Sequence, residues 1–187
     1  MNLEKLFQAQ KVLRDRIGYN EPDRLNKLIL ALLVELGECA NEWRGFKFWS
    51  KDQAPRTRKA RGPYVDLEDA EFYNPLLEEY VDGLHFVLEL GLEINPKDFP
   101  IVDVEPLTGE FKSVIEAIRH TFNWTVNLDY ILFDEPFKSD YRIQRTYFNL
   151  LQVFITLGEM LGFTWEEVEQ AYYAKNSINH QRQEDGY

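Results

Sequence analysis

Hydrophobic and polar positions alternate with helical periodicity over most of the chain, and they do so in separate blocks. Leu6, Leu13 and Ile17 form one stripe over residues 2–17, the spacing of an amphipathic helix. Gln10 falls on that stripe, four residues after Leu6 and three before Leu13. An amide there is either a core polar group satisfied by backbone or a reader of a base edge, since it donates and accepts in one plane. A second helix is expected to begin near Asn20–Asp23, with Asn20 as cap and Pro22 in the first turn. It contains seven consecutive apolar residues, Leu28 to Val34, and ends near Gly45. Residues 46–73 break the pattern. GFKFWS is aromatic and basic, Lys51, Arg56, Arg58, Lys59 and Arg61 follow, and Asp66 to Glu71 is acidic. Pro55 and Gly62–Pro63 argue against a continuous helix. The stretch reads as a long loop, its basic cluster as a solvated surface.

Asn74–Pro75 supplies a cap and a first-turn proline for the next helix, PLLEEYVDGLHFVLELGLEI. After a connection over 95–110 come amphipathic segments at about 110–132 and 140–162. Thr164 with Glu167 then forms a capping box for a last helix over 165–183. The pattern predicts an all-α helical bundle of about six helices, without strands, as one domain over residues 1–187 with 46–73 as a long loop.

Composition adds limits more than direction. The chain has 187 residues, 44% apolar and 14% aromatic, enough for a real core. Its apolar runs fall short of the roughly twenty residues of a membrane span, and MNLEKLFQAQKVL lacks a signal-peptide pattern. A lone cysteine, Cys39, excludes an internal disulfide framework and fits a reducing cytosol. The net charge of −11 opposes a phosphate-neutralising nucleic-acid surface and suits metal binding. A cytoplasmic protein with neither nucleic-acid nor membrane partners is expected.

Acids inside the apolar blocks carry the candidate chemistry. Glu35 and Glu38 lie three apart in the second helix, with Glu42 extending their face. Glu79 and Asp82 repeat the spacing in the third. Carboxylates on a buried stripe need a cation, a metal or water. If the two helices align antiparallel, four carboxylates converge, and like charges about 4 Å apart repel by about 4 kcal/mol at an effective dielectric near 20. Oxygen-only ligation points to Mg²⁺ or Mn²⁺ rather than zinc or copper. A di-iron bundle would want two Glu-x-x-His motifs; Asp82-x-x-His85 is the nearest match, which leaves His85 structural or beside the ligands. In the last helix Lys175, Asn176, Asn179, Arg182 and Gln183 share one polar face. A solvated face would read the same.

ELGE at 35–38, EYVD at 79–82, LFQAQKVLRDRI at 6–17, GFKFW at 45–49 and YAKNSINHQRQEDGY at 173–187 occur in one order along the chain. In this set the chain resembles the all-α nucleoside triphosphate pyrophosphatases, specifically the dimeric dUTPases. Residues 50–73 and 95–110 show no specific match. The resemblance implies hydrolysis of dUTP to dUMP and pyrophosphate by a homodimer, with Mg²⁺ held by Glu35, Glu38, Glu79 and Asp82. It implies Glu35 as the group orienting the attacking water, with Glu38 as the alternative. The resemblance leans towards attack at the β-phosphorus, which would admit dUDP, over attack at the α-phosphorus, a choice the sequence itself does not make. Lys175 and Arg182 look like phosphate ligands, Asn179 and Gln10 like uracil-reading amides, and Trp49 like the pocket aromatic, with Lys47 beside it in the same motif. Tyr187 would close over the phosphates. The rival readings are a MazG-like pyrophosphatase of broader nucleotide choice and a helical interaction protein that has lost catalysis.

Overall fold

The computed structural model describes residues 3–62, 70–94, 103–136 and 139–186. Among them run six helices: α1 (Glu4–Ile17), α2 (Arg24–Trp43), α3 (Pro75–Ile94), α4 (Val114–Phe133), α5 (Asp140–Met160) and α6 (Trp165–Glu184). The all-α class holds, with one addition. Inside the expected loop, β1 (Lys59–Ala60) pairs antiparallel with β2 (Phe72–Tyr73). Two-residue strands are too short to leave a periodic signal.

Helix ends moved where side chains had other work. Helix α2 starts at Arg24 rather than at 20–23. The Asn20 amide donates to Gly18 O at 3.3 Å instead of capping. The Asp23 carboxylate accepts from Tyr19 at 2.6 Å and pairs with Lys27 at 2.8 Å, so it too makes no cap. At the other end Arg44, not Gly45, takes the left-handed conformation, at φ 63°. Its guanidinium donates to Asp52 O at 2.7 Å and holds that turn. Helix α4 begins at Val114, where the Ser113 hydroxyl accepts from Glu116 N at 3.2 Å, rather than near 110. Asn74 and the Thr164/Glu167 capping box act as expected: Asn74 Oδ1 accepts from Leu77 N at 3.1 Å and both halves of the box form.

Helix α3 is the centre of the bundle, with 12 of its 20 residues buried. Two tyrosine–glycine pairs lock it antiparallel to α5. Tyr80 of α3 lies over Gly158 and donates to Phe154 O at 3.2 Å. Tyr147 of α5 lies over Gly91 and donates to Val87 O at 3.0 Å. Each ring thus occupies the space a Cβ would fill, and each hydroxyl satisfies a carbonyl one turn away. Helix α2 packs on another side of α3, also antiparallel: a Cβ at Gly83 would lie 3.8 Å from the Glu35 Cβ. None of the described helices is long and apolar enough to cross a membrane.

Candidate functional site

The antiparallel α2–α3 pairing sets the second-helix acids against the third-helix acids. Glu35, Glu79 and Asp82 each offer an oxygen within 4.8 Å of the others, all three half-buried. Burial, then Asp82 and Glu38, raises the Glu35 carboxyl to about 7. Burial, then Glu38, Asp82 and Glu35, raises Glu79 to about 7. The charge of Glu38 is therefore felt at this cluster although its oxygens lie outside the trio. Asp82 is also raised, by burial, against the pull of Lys175. Lys175 comes from α6 and donates to Asp82 at 2.6 Å and to Glu78 at 3.4 Å. Burial alone would lower the lysine, but these two carboxylates outweigh it and its pKa is raised.

Among the described residues Lys175 and, at longer range, Arg182 act on Asp82, which leaves three converging carboxylates short of positive charge. An oxygen-only donor set with unbalanced negative charge fits a hard divalent cation such as Mg²⁺ or Mn²⁺. Glu42 stands apart, paired with Arg56 at 3.1 Å. The basic cluster is exposed, as expected, and that pair adds a contact to it. Arg56 also bonds through its backbone to Glu42 and Leu76, Arg61 pairs with Glu78, and Arg58 and Arg61 lie on the rings of Phe72 and Tyr73. The loop is docked on the ends of α2 and α3 by its arginines.

Beside the cluster, helices α1, α2, α3 and α6 enclose a cavity of about 430 Å³, within the size range of small-molecule sites. Gln10, Asn179, Arg182 and Gln183, four of the residues singled out in the sequence, line it together with His85 and Phe86. Gln10 is buried and heavily engaged: Nε2 donates to Glu89 at 2.9 Å, and Oε1 lies 2.9 Å from Tyr172 Oη and 2.8 Å from His85 Nδ1. Burial lowers the His85 imidazole to about 3, keeping it neutral. Asn176 is buried on the same α6 face, with its Nδ2 unpartnered among the described residues.

Lys47 and Trp49 do not join these groups. Lys47 donates to Asn41 and lies near the Phe46 ring. Trp49 is 65% exposed, packed edge-on against Phe46 and Phe48 on the surface after α2. Tyr187 lies outside the described residues. The residues that sequence reasoning missed are Glu89, Arg24 and Tyr172. A signal existed for one: Asp82, His85 and Glu89 follow at three and four residues, continuing the acidic face of α3.

The fold and site define an all-α bundle in which two facing helices converge carboxylates beside an amide- and arginine-lined cavity. The family model described as dUTPase matches residues 2–69 and 68–187, and the chain belongs to that family. No curated protein matches the chain. Membership supports a hydrolase acting on nucleoside triphosphates, with dUTP diphosphatase activity in general.

Proposed function

We propose that the protein is a Mg²⁺-dependent dUTP diphosphatase that releases dUMP and pyrophosphate, with Mn²⁺ as a possible substitute ion. The observation that carries this reading is the convergence of Glu35, Glu79 and Asp82 within 4.8 Å beside a nucleotide-sized cavity, in a chain of the dUTPase family. Glu35, Glu38, Glu79 and Asp82 would hold the metal. A bound divalent ion supplies a clamp on phosphate oxygens and lowers the pKa of coordinated water towards neutrality. Four carboxylates and a triphosphate carry about −4 each, so neither set approaches the other without such cations. Lys175 and Arg182, projecting from α6 at the cluster and the cavity, bind the phosphates. The fork of Arg182 suits paired oxygens. Asn179 and Gln10 face the base, where Gln10 keeps one amide hydrogen after its bond to Glu89. Glu35 orients the attacking water.

With Mg²⁺ present, dUTP is expected to be hydrolysed far faster than dCTP or dTTP. Comparable rates for all three would instead support the broader MazG-like pyrophosphatase, and no hydrolysis at all would support the interaction-protein reading.

The homodimer belongs to the same proposal. On α4, Val126, Tyr130 and Phe133 are exposed at spacings of four and three, and Leu30 and Val34 on α2 are exposed four apart. Such apolar stripes mark interaction surfaces more often than solvated faces. Sedimentation at micromolar concentration should give twice the 22.2 kDa chain mass; a single monomeric species would remove the dimer from the proposal.

A further inference from the structure

Lys175 reaches the acidic cluster from α6, its side chain only 13% exposed. The ammonium lies 2.6 Å from Asp82 Oδ2 and 3.4 Å from Glu78 Oε1. These two acids stand four apart on α3, so they share a face one turn from each other. Asp82 belongs to the trio that converges with Glu35 and Glu79, and Glu78 does not. The other oxygen of Glu78 meets Arg61 at 3.4 Å. Arg61 is itself fixed by its backbone bond to Glu71 and by the Tyr73 ring beneath its guanidinium. A cavity of about 140 Å³ opens on this side of the cluster, with Arg61, Glu78 and Lys175 in its wall. The lysine thus stands between two carboxylates, closer to the one that a metal would use and with space beside the other. An ammonium at hydrogen-bond distance from Asp82 and a divalent ion held by the same carboxylate repel each other, and part-buried charges are screened little by salt.

We propose that Lys175 and the divalent ion exchange places on Asp82, with Glu78 as the carboxylate that keeps the displaced ammonium beside the site. A lysine suits this task better than an arginine. Its compact charge on a flexible stem changes partner by rotating, whereas a guanidinium fork would grip Asp82 through two bonds. The exchange itself involves no nucleotide; its use rests on the dUTP diphosphatase reading, in which Lys175 is a phosphate ligand. Loading the metal then releases Lys175 towards a phosphate, and a phosphate on Lys175 releases Asp82 to the metal. Each ligand should therefore tighten the binding of the other.

Titration of the nucleotide-free protein with Mn²⁺, followed by calorimetry or by loss of the free-ion EPR signal, reads the exchange. Lys175→Met should bind Mn²⁺ about tenfold more tightly than the parent, the size of one charge-assisted hydrogen bond that the ion no longer has to break. Lys175→Gln is the second variant should the first not fold. Lys175→Arg, which keeps the charge, should bind no more tightly than the parent. Glu78→Gln should weaken Mn²⁺ about fivefold in the parent but about twofold or less in the Lys175→Met background, because Glu78 then has no lysine to draw from Asp82. Unchanged, weaker or absent binding in the Lys175→Met protein, or tighter binding in Lys175→Arg, would overturn the exchange. An equal loss from Glu78→Gln in both backgrounds would remove Glu78 from it. With saturating Mg²⁺, Lys175→Met should also raise the KM for dUTP about tenfold as the phosphate contact is lost. A protein that hydrolyses no nucleotide yet shows the Mn²⁺ pattern keeps the exchange and loses the nucleotide reading.

Discussion

Glu79→Gln is expected to reduce dUTP hydrolysis by about three orders of magnitude while making the metal-free protein more heat-stable at pH 8. The two effects share a cause. Glu79 is half-buried among Glu38, Asp82 and Glu35, and its carboxyl is raised to about 7 by burial first and by those neighbours next. Its folded pKa therefore lies above the 4.5 it has when unfolded. Between those two values the folded state holds more protons, so stability falls as pH rises from about 4.5 through 7. A neutral amide removes this penalty, and the variant should melt above the parent at pH 8 and level with it near pH 4. Comparing variant with parent cancels His85, whose lowered pKa pulls stability the other way below about 6.5. Added Mg²⁺ should reverse the order, because a ligand that binds only the folded state stabilises in proportion to its affinity. The loss of rate follows from removing one group that holds positive charge against the reacting phosphate, worth about 4 kcal/mol of barrier. Melting curves at the two pH values, with chelator and with Mg²⁺, together with a phosphate-release assay, test all of this. Unchanged hydrolysis in the variant would show that Glu79 holds no catalytic metal.

Why the acids were legible and their surroundings were not has a physical explanation. Charge inside an apolar helix is conspicuous because it is costly, so Glu35, Glu38, Glu79 and Asp82 stand out in sequence. Their spacing of three also fixes which face they share. The pairing of α2 with α3 could be supposed from those faces, and the closeness of Gly83 to Glu35, where an added Cβ would lie 3.8 Å from the Glu35 Cβ, agrees with it. Apart from Glu89, which continues the acidic face of α3, the network behind the cavity left no such mark. Gln10, Glu89, His85 and Tyr172 come from three helices up to 162 residues apart, and no local pattern reports a contact made by tertiary packing. Arg24 looks like a surface charge on an amphipathic helix, and only the packing of α2 against α3 turns it and Glu89 into a buried pair.

The loop shows the same limit from the other side. Among the described residues of 46–73 the regular structure is the short β1–β2 ladder, and composition does not show what the exposed arginines touch. Their partners, Glu42, Glu78, Phe72 and Tyr73, lie at the ends of α2 and α3 and in the short ladder. Helix boundaries erred where a side chain with capping ability was drawn elsewhere, as Asp23 was by Tyr19 and Lys27. They held where cap and partner sit within one turn, as at Thr164 and Glu167. Local rules succeed when the competing contacts are local too.

Gly91→Ala should lower the melting temperature by roughly 2–8 °C, whereas the same change at Gly37 should raise it slightly. Both glycines lie inside helices, where alanine is favoured by about 1 kcal/mol. At Gly37 nothing lies within 4 Å of an added Cβ, so the helix gain is realised. At Gly91 the Cβ would lie 2.2 Å from Tyr147 Oη, 2.7 Å from its Cζ and 2.9 Å from a Phe7 ring carbon. Tyr147 is fully buried and tied to Val87 O at 3.0 Å, so its rigid ring can yield only by breaking that bond or by pushing α5 away from α3. Overpacking of this kind costs about 1–3 kcal/mol and exceeds the propensity gain when ring and backbone must both move. The helix that bears Gly91 and loses this packing, α3, is the one that carries Glu79, Asp82, His85 and Glu89. The Gly91 variant should therefore also lose activity below its melting point, and a variant as stable and as active as the parent would show that the α3–α5 lock is softer than its geometry.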